Sequence, residues 1–235
     1  MQNYQGYAAP AQARWIAHVS EAEKVAFLRK VYLHVAGAVG LFLVLETALQ
    51  AMPFAERIAR DMSNVWLLVI LGFWVVGWIA NKWTRPGLPL AQQYLGLGLY
   101  TAAEAVIFMP LIAYVRLYQD SDVLPTAGMI TLALAVGLSF IALDSRTEFS
   151  MLRGVLAIGF PVALGLILAS ILFGVGLGTW FSLLMIGLAA AAILYKTDQI
   201  TRASRTDGYV SASLALFASF MLLLWYVIRL LSARR

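Results

Sequence analysis

One acidic residue stands near the middle of an apolar stretch that is long enough to cross a bilayer. The segment 94–115 reads YLGLGLYTAAEAVIFMPLIAYV and carries Glu104 as its eleventh residue. A charged side chain at that depth costs about 2.5–3.5 kcal/mol on insertion scales, so we expect Glu104 to face the interior of a helix bundle. Tyr100 and Thr101 precede it on the same helical face. Both hydroxyls are therefore predicted to donate hydrogen bonds to its carboxylate.

Two interpretations of Glu104 remain open. In the first, its carboxylate lies on a route for cations or protons through the bundle. In the second, it is a neutral or hydrogen-bonded carboxyl that holds neighbouring helices together. A single acidic residue in an apolar helix does not distinguish the two, and we weigh them equally.

Two prolines lie inside predicted membrane helices. Pro110 and Pro161 have no amide hydrogen, so the carbonyl groups of Val106 and Ala157 lose their helical partners. Both helices are therefore predicted to kink. Kinks can open cavities, but we favour a packing role for both prolines, as for most prolines in membrane helices.

A basic and an acidic residue occur close together near the end of a later apolar stretch, in the sequence AILYKTDQI. Lys196 and Asp198 are two positions apart, so their side chains leave a helix in different directions. We expect Lys196 to extend toward the membrane surface, where its ammonium group stays hydrated. The alternative is that Lys196 turns inward, toward Glu104.

The composition excludes several kinds of site. Cysteine is absent and only two histidines are present, which excludes disulfides, thiolate ligands and a histidine-rich metal centre. His34 is interpreted as a hydrogen-bonded core residue. Ser139, in GLSF, lacks the second glycine of a serine-protease loop, and residues 211–231 lack the lysine of a retinal protein. We expect no enzyme activity, no cofactor and no metal.

The elements that position these residues follow from hydropathy. Of 235 residues, 62% are hydrophobic and 12% are charged, and roughly 20 apolar residues span a bilayer core of about 30 Å. We predict an all-α polytopic membrane protein with residues 1–24 as a cytoplasmic N-terminal tail and residues 25–235 as one membrane domain. Its bundle comprises seven transmembrane helices, at residues 31–51, 65–83, 94–115, 124–143, 151–174, 177–200 and 211–231.

Basic residues predict the orientation. Eleven of the 17 Lys and Arg residues fall on the side of the predicted membrane domain that carries the N-terminus. This excess predicts a cytoplasmic N-terminus in a cell (inner) membrane. Because the basic residues stand singly between apolar runs, the net charge of +5 reflects membrane orientation, and we expect no nucleic-acid partner.

Small residues four positions apart are typical of helix–helix contacts in membranes. Three such pairs are predicted to pack closely against neighbouring helices: Ala36/Gly40, Gly159/Ala163 and Gly165/Ala169.

Five stretches share a family pattern, of which Phe149-Ser150-x-Leu152-x-Gly154 is the most specific part. They are AFLRKVY (26–32), LYTAAEAVIFMPL (99–111), GLSFIALDSRTEFSMLRG (137–154), LYKTDQI (194–200) and LALFASF (214–220). Together they resemble the Bax-inhibitor family of seven-helix membrane proteins over nearly the whole membrane region. The resemblance implies a seven-helix fold and a stress-protective role.

Some members of that family resemble pH-gated calcium leak pathways that use one aspartate on each of the last two helices. The matching positions here are Lys196 and Ser219, and neither is acidic. The gate of the family therefore cannot operate unchanged, and Asp198 could substitute only if its helix end rotates or unwinds. We list Glu104, Lys196, Asp198 and Ser219 as candidates for a route or gate for calcium or protons.

An alternative function follows from the same resemblance. Certain bacterial members associate with a membrane-anchored AAA protease that degrades membrane proteins. The chain would then be a non-conducting modulator or a substrate of such a protease, in membrane protein quality control. Its expected partners are the lipid bilayer together with either calcium or protons, or this protease.

Overall fold

Long apolar segments fold into helices because a helix pairs its own backbone groups, as the bilayer interior requires. The computed structural model of the chain describes residues 14–53, 55–144 and 148–233. Within these ranges, seven helices are long and apolar enough to cross a membrane, which confirms the predicted all-α polytopic protein. The helices are α1 (Glu21–Gln50), α2 (Ala55–Asn64), α3 (Trp66–Trp83), α4 (Leu90–Tyr118), α5 (Val123–Asp144), α6 (Leu152–Phe173), α7 (Gly178–Ala203) and α8 (Tyr209–Ser232).

Helix α1 begins well before the apolar run at residue 31 from which it was predicted. A capping box fixes its start: Ser20 Oγ accepts from the Glu23 amide at 3.3 Å, and the Glu23 carboxylate accepts from the Ser20 amide at 3.1 Å. Such reciprocal bonds satisfy amide donors that the first helical turn leaves unpaired. Polar residues therefore extend the helix beyond its apolar part.

The chain before α1 packs against the connection between α7 and α8. Ile16 lies in a short 3-10 helix and is fully buried, and its amide donates to the carbonyl of Ser204 at 2.8 Å. The amide of Thr206 in turn donates to the carbonyl of Arg14 at 2.9 Å. The described part of the predicted tail is thus fastened to the membrane domain, whereas its residues 1–13 lie outside the described residues.

Helix α2 lies between the predicted spans 31–51 and 65–83 and is an element that hydropathy does not predict. Ala55 and Ala59 lie one helical turn apart and are buried, whereas Arg57 and Arg60 are exposed. The helix packs mainly against α4. It is therefore a short amphipathic helix that follows the first membrane span.

Helices α4 and α8 form the centre of the bundle. Half of the most apolar window of each is buried inside the protein, against 6% for α3 and 11% for α6. Helix α8 packs against α7, α1, α5 and α4, whereas α3 packs mainly on α4 and α6 mainly on α7. The two central helices carry Glu104 and Ser219, and the peripheral position of α3 and α6 leaves space beside them.

Candidate functional site

A cavity of about 1350 Å³ lies between α3, α4, α6, α7 and α8. We call it the interhelical cavity. The outer helices α3 and α6, which pack mainly on α4 and α7, form one side of the cavity. Trp74 and Trp78 of α3 border the cavity and are about two-thirds exposed, at 67% and 65%.

Glu104 lies in the interior of the bundle and contributes to the wall of this cavity. Only 5% of the surface of Glu104 is exposed, and the residue lines the cavity. Tyr100, one helical turn earlier, also lines the cavity, and its hydroxyl interacts with the Glu104 carboxyl. The Tyr100 ring packs against Phe73 at 5.6 Å and against Phe217 at 6.2 Å between ring centroids. The carboxyl is thus buried in the bundle beside a polar group of fixed position.

The predicted support from Thr101 is wrong. Its hydroxyl donates to the carbonyl of Leu97 at 2.9 Å, so its single proton is not available to Glu104. Threonine in a helix readily bonds the carbonyl of the preceding turn in this way. Tyr100 is the side chain that supports the carboxyl.

Lys196 and Ser219 line the same cavity as Glu104, from α7 and α8. Lys196 is partly buried, and its ammonium nitrogen lies 5.6 Å from the centroid of the Tyr195 ring. Ser219 Oγ donates to the carbonyl of Ala215 at 3.0 Å. The structure therefore brings three of the four candidate residues of the route or gate together around one cavity, and Lys196 faces it.

Asp198, the fourth candidate, is not part of the cavity wall. Its carboxylate accepts a hydrogen bond from Arg202 Nε at 2.6 Å, and the residue is 5% exposed. Helix α7 runs without interruption from Gly178 to Ala203. The helix end is therefore neither unwound nor rotated, and Asp198 cannot replace an acid at position 196.

The two prolines lie inside continuous helices. Pro110 is within α4 and Pro161 within α6, so neither proline ends its helix. Neither is among the residues that line the interhelical cavity. Their position fits a packing role better than a direct part in the site.

Most cavity residues were not among the sequence candidates, and three of them bear on a route for cations: Arg229, Phe108 and Trp225. Arg229 of α8 lines the cavity, and its guanidinium carbon lies 5.9 Å from the Tyr226 ring centroid. Phe108, one turn after Glu104, packs edge-on against Trp225 at 5.0 Å. In the sequence, Arg229 counts only as a basic residue near the C-terminus, and the two aromatic residues look like any other apolar positions.

A third buried acid lies on α1, outside the interhelical cavity. Glu46 is 5% exposed, and its Oε1 accepts from Gln50 Nε2 at 2.8 Å. The same Gln50 amide donates to the carbonyl of Met109 at 3.0 Å. This contact joins α1 to α4 and gives Glu46 a structural role.

Comparisons with known proteins agree with this architecture. A family model described as "Inhibitor of apoptosis-promoting Bax1" matches residues 24–235. A Pseudomonas aeruginosa protein described as "Uncharacterized protein PA2604" is 26% identical over 166 residues, which is 70% of this chain and 72% of that protein. The family match covers all seven long helices apart from the first turn of α1.

Proposed function

The chain is a member of the Bax-inhibitor family, and on this premise we propose that it is a stress-protective membrane protein whose interhelical cavity supports a weak cation leak. Glu104 carries the proposal, because it is the one acidic side chain on the cavity wall in the described part of the chain. Calcium or a proton that reaches the cavity would meet this carboxyl. The proposal assigns no catalytic step to any residue.

The leak is weak because of the other charges on the wall. Lys196 and Arg229 line the same cavity and are both basic. Two unit charges about 6 Å apart at an effective dielectric constant of about 20 interact by about 2.8 kcal/mol, and a divalent ion doubles this. Lys196 therefore opposes calcium by several kcal/mol and a monovalent cation by half as much.

Aromatic packing adds a second barrier. Phe108 lies four residues beyond Glu104 on α4, is 1% exposed, and packs edge-on against Phe42 at 5.1 Å as well as against Trp225. A cation that leaves Glu104 toward the C-terminal end of α4 meets this packed cluster. The arrangement supports a low flux in the native protein.

A liposome flux assay tests the proposal. The purified protein is reconstituted with a calcium-sensitive dye inside the vesicles, and the double variant Lys196→Asp/Ser219→Asp is compared with the parent. We expect a low flux for the parent and a higher flux for the variant, because two carboxylates replace a cation and a hydroxyl. The increase should be larger at neutral than at acidic pH, since protonation neutralises the new carboxylates.

The matched control is Arg153→Asp/Ser150→Asp. It makes the same chemical changes at two exposed positions at the start of α6, away from the cavity. Its flux should equal that of the parent. If Lys196→Asp/Ser219→Asp conducts no better than this control, the electrostatic basis of the leak is wrong.

A second candidate function is that of a modulator or substrate of a membrane-anchored AAA protease. The hydrogen bond from the Ile16 amide to the Ser204 carbonyl favours this second function. Residues 1–13 precede this fixed point, and in this candidate function the protease engages them first. The excess of Lys and Arg on the side of the N-terminus also supports this function, because it favours a cytoplasmic N-terminus in an inner membrane.

Cellular turnover distinguishes this candidate. Deleting residues 1–12 leaves Ile16 and the capping box at Ser20 in place, and we expect it to lengthen the half-life of the protein measured by pulse-chase labelling. A substitution of the same segment by a Gly/Ser sequence of equal length is the control for length. An unchanged half-life in both variants argues against the protease function and leaves the leak as the remaining candidate.

A further inference from the structure

A second depression, separate from the interhelical cavity, lies between α1 and α4. Its volume is about 300 Å³, and we call it the α1–α4 groove. Its floor and sides are mostly apolar and include two glycines whose missing side chains leave open space, since a Cβ atom at Gly37 or Gly98 would meet no heavy atom within 4 Å. The apolar lining residues of the groove are Leu33, Ala38, Leu41 and Leu97.

One end of the groove carries hydrogen-bonded aromatic residues. His34 Nδ1 donates to the carbonyl of Lys30 at 2.6 Å, and its Nε2 accepts from the Tyr94 hydroxyl at 3.1 Å. The Tyr94 and Tyr209 hydroxyls are 3.3 Å apart, and the His34 and Tyr94 rings stack at 5.5 Å. These contacts fix the rings of α1, α4 and α8 against each other at the end of the groove.

Lys30 places a positive charge at this end. Its ammonium nitrogen lies 5.6 Å from the centroid of the Tyr209 ring. Lys24 and Arg14 near the same end form ion pairs with Glu21 and Glu23. Lys30 makes no such pair with any carboxylate of the described residues, so it is a positioned cation without a counter-ion.

We infer that the α1–α4 groove binds one anionic phospholipid from the leaflet at the N-terminal ends of α1 and α4. Its phosphate contacts Lys30, and one acyl chain lies along the groove over Gly37 and Gly98. Basic pockets between membrane helices bind anionic headgroups, and tyrosine is enriched at the level of the headgroups. The inference does not depend on whether the interhelical cavity conducts.

The dimensions of the groove agree with one leaflet. The groove runs along α1 from Leu33 to Leu41, and Lys30 lies just beyond it. Lys30 and Leu41 are eleven residues apart, which corresponds to about 16 Å along the helix axis. This is about half of the 30 Å thickness of a bilayer core. Because α1 and α4 run in the same direction, the polar ends of both helices lie at the same membrane surface.

Native mass spectrometry of the purified full chain tests the inference. The protein is stripped of lipid in detergent and titrated with dioleoylphosphatidylglycerol or with dioleoylphosphatidylcholine, and the fraction that carries one lipid is measured. We expect one phosphatidylglycerol adduct to form at lower lipid concentration than the phosphatidylcholine adduct. Lys30→Gln should weaken the phosphatidylglycerol adduct about fivefold and remove the preference over phosphatidylcholine.

Filling the groove tests the position of the acyl chain. Gly98→Leu should reduce the first adduct of both lipids, because the new side chain occupies the groove. The control Gly128→Leu introduces the same residue at an exposed, equally open glycine of α5 and should bind as the parent does. If Gly98→Leu does not give a monodisperse protein, Gly37→Leu tests the same groove.

Three outcomes would overturn the inference. The first is equal binding of the two lipids by the parent protein. The second is an unchanged phosphatidylglycerol adduct in Lys30→Gln, with Lys24→Gln as the comparison for loss of a lysine elsewhere on α1. The third is parent-like binding by a folded groove-filling variant, Gly98→Leu or Gly37→Leu.

Discussion

Glu104 on α4 and Lys196 on α7 line one cavity, and no ion pair joins them in the described part of the chain. Opposite charges in a low-dielectric site attract strongly when they are close. Each residue instead has its own partner: Tyr100 for Glu104 and the ring of Tyr195 for Lys196. A ligand or ion in the cavity therefore meets an acidic and a basic side chain that are not paired with each other.

Neutralising Glu104 should reduce cation flux. We expect Glu104→Gln to lower calcium flux at least about a hundredfold in the Lys196→Asp/Ser219→Asp background, where the flux is high enough to measure. A unit charge pair about 6 Å apart is worth about 2.8 kcal/mol at a dielectric constant of about 20, and 1.4 kcal/mol corresponds to tenfold. The control is Glu56→Gln on the exposed face of α2. Equal flux with and without Glu104 would remove its role in the leak.

Asp198 should contribute to the stability of the C-terminal end of α7 and not to cation flux through the cavity. Asp198→Asn keeps a hydrogen-bond acceptor for Arg202 but removes the charge. Exposed pairs of this spacing contribute about 0.3–0.5 kcal/mol. Arg202 is 45% exposed but Asp198 is buried, so we expect a decrease in thermal stability that exceeds this value. Liposome flux should be unchanged in the same preparation. A change in flux as large as that of a substitution at Lys196 would place Asp198 on the route after all.

Gly96 should be intolerant of a side chain, because α3 and α4 approach each other closely there. A Cβ atom at Gly96 would lie 2.9 Å from Thr84 Cγ2 and 3.0 Å from the backbone oxygen of Ala80. Overpacking of this kind costs about 1–3 kcal/mol. We expect Gly96→Ala to lower the Tm followed by tryptophan fluorescence. Gly98→Ala is the control, because that glycine faces open space, and equal Tm values for both variants would contradict the close approach.

Ile16 should hold the N-terminal segment against the membrane domain. It is fully buried, and truncating a buried isoleucine to alanine typically costs about 2–5 kcal/mol. Because the segment is a peripheral unit, we expect Ile16→Ala to open it locally, which would make trypsin cleavage after Arg14 and Lys24 about tenfold faster. Trp15→Ala changes a residue that is 54% exposed and should leave the cleavage rate as in the parent. Equal rates for the two variants would mean that the segment is held by other contacts.

Of the three pairs of small residues predicted to pack against neighbouring helices, only one does so. At Gly159 an added Cβ would lie 2.6 Å from Leu188 Cδ2, and Ala163 is buried, so this pair packs α6 against α7 as expected. Gly40 and Gly165 face open space and are exposed. The packing predicted for Ala36/Gly40 and Gly165/Ala169 is therefore wrong, because the spacing places two residues on one face without saying whether that face meets another helix.

The sequence alone determined the number and the approximate limits of the membrane helices. Each span depends on local composition, since about 20 apolar residues in a row have few alternatives to crossing the bilayer. The interior position of Glu104 follows from the same physics, because the cost of exposing a carboxyl to lipid is large compared with differences in helix packing. The sequence patterns around Phe149 and Lys196 indicated the family to which the chain belongs, and the family match over residues 24–235 confirms it.

Only the tertiary structure decided which faces of these helices meet. A helix within a membrane is apolar on its lipid side and on its buried side, so periodicity does not separate the two as it does in a soluble protein. The central position of α8 and the inward direction of Lys196 therefore could not be read from the chain. The contact of Ile16 with Ser204 was equally hidden, since it depends on how distant segments come together after folding. The pairing of Asp198 with Arg202 is different, because residues four apart on one helix face each other and their spacing alone permits the contact.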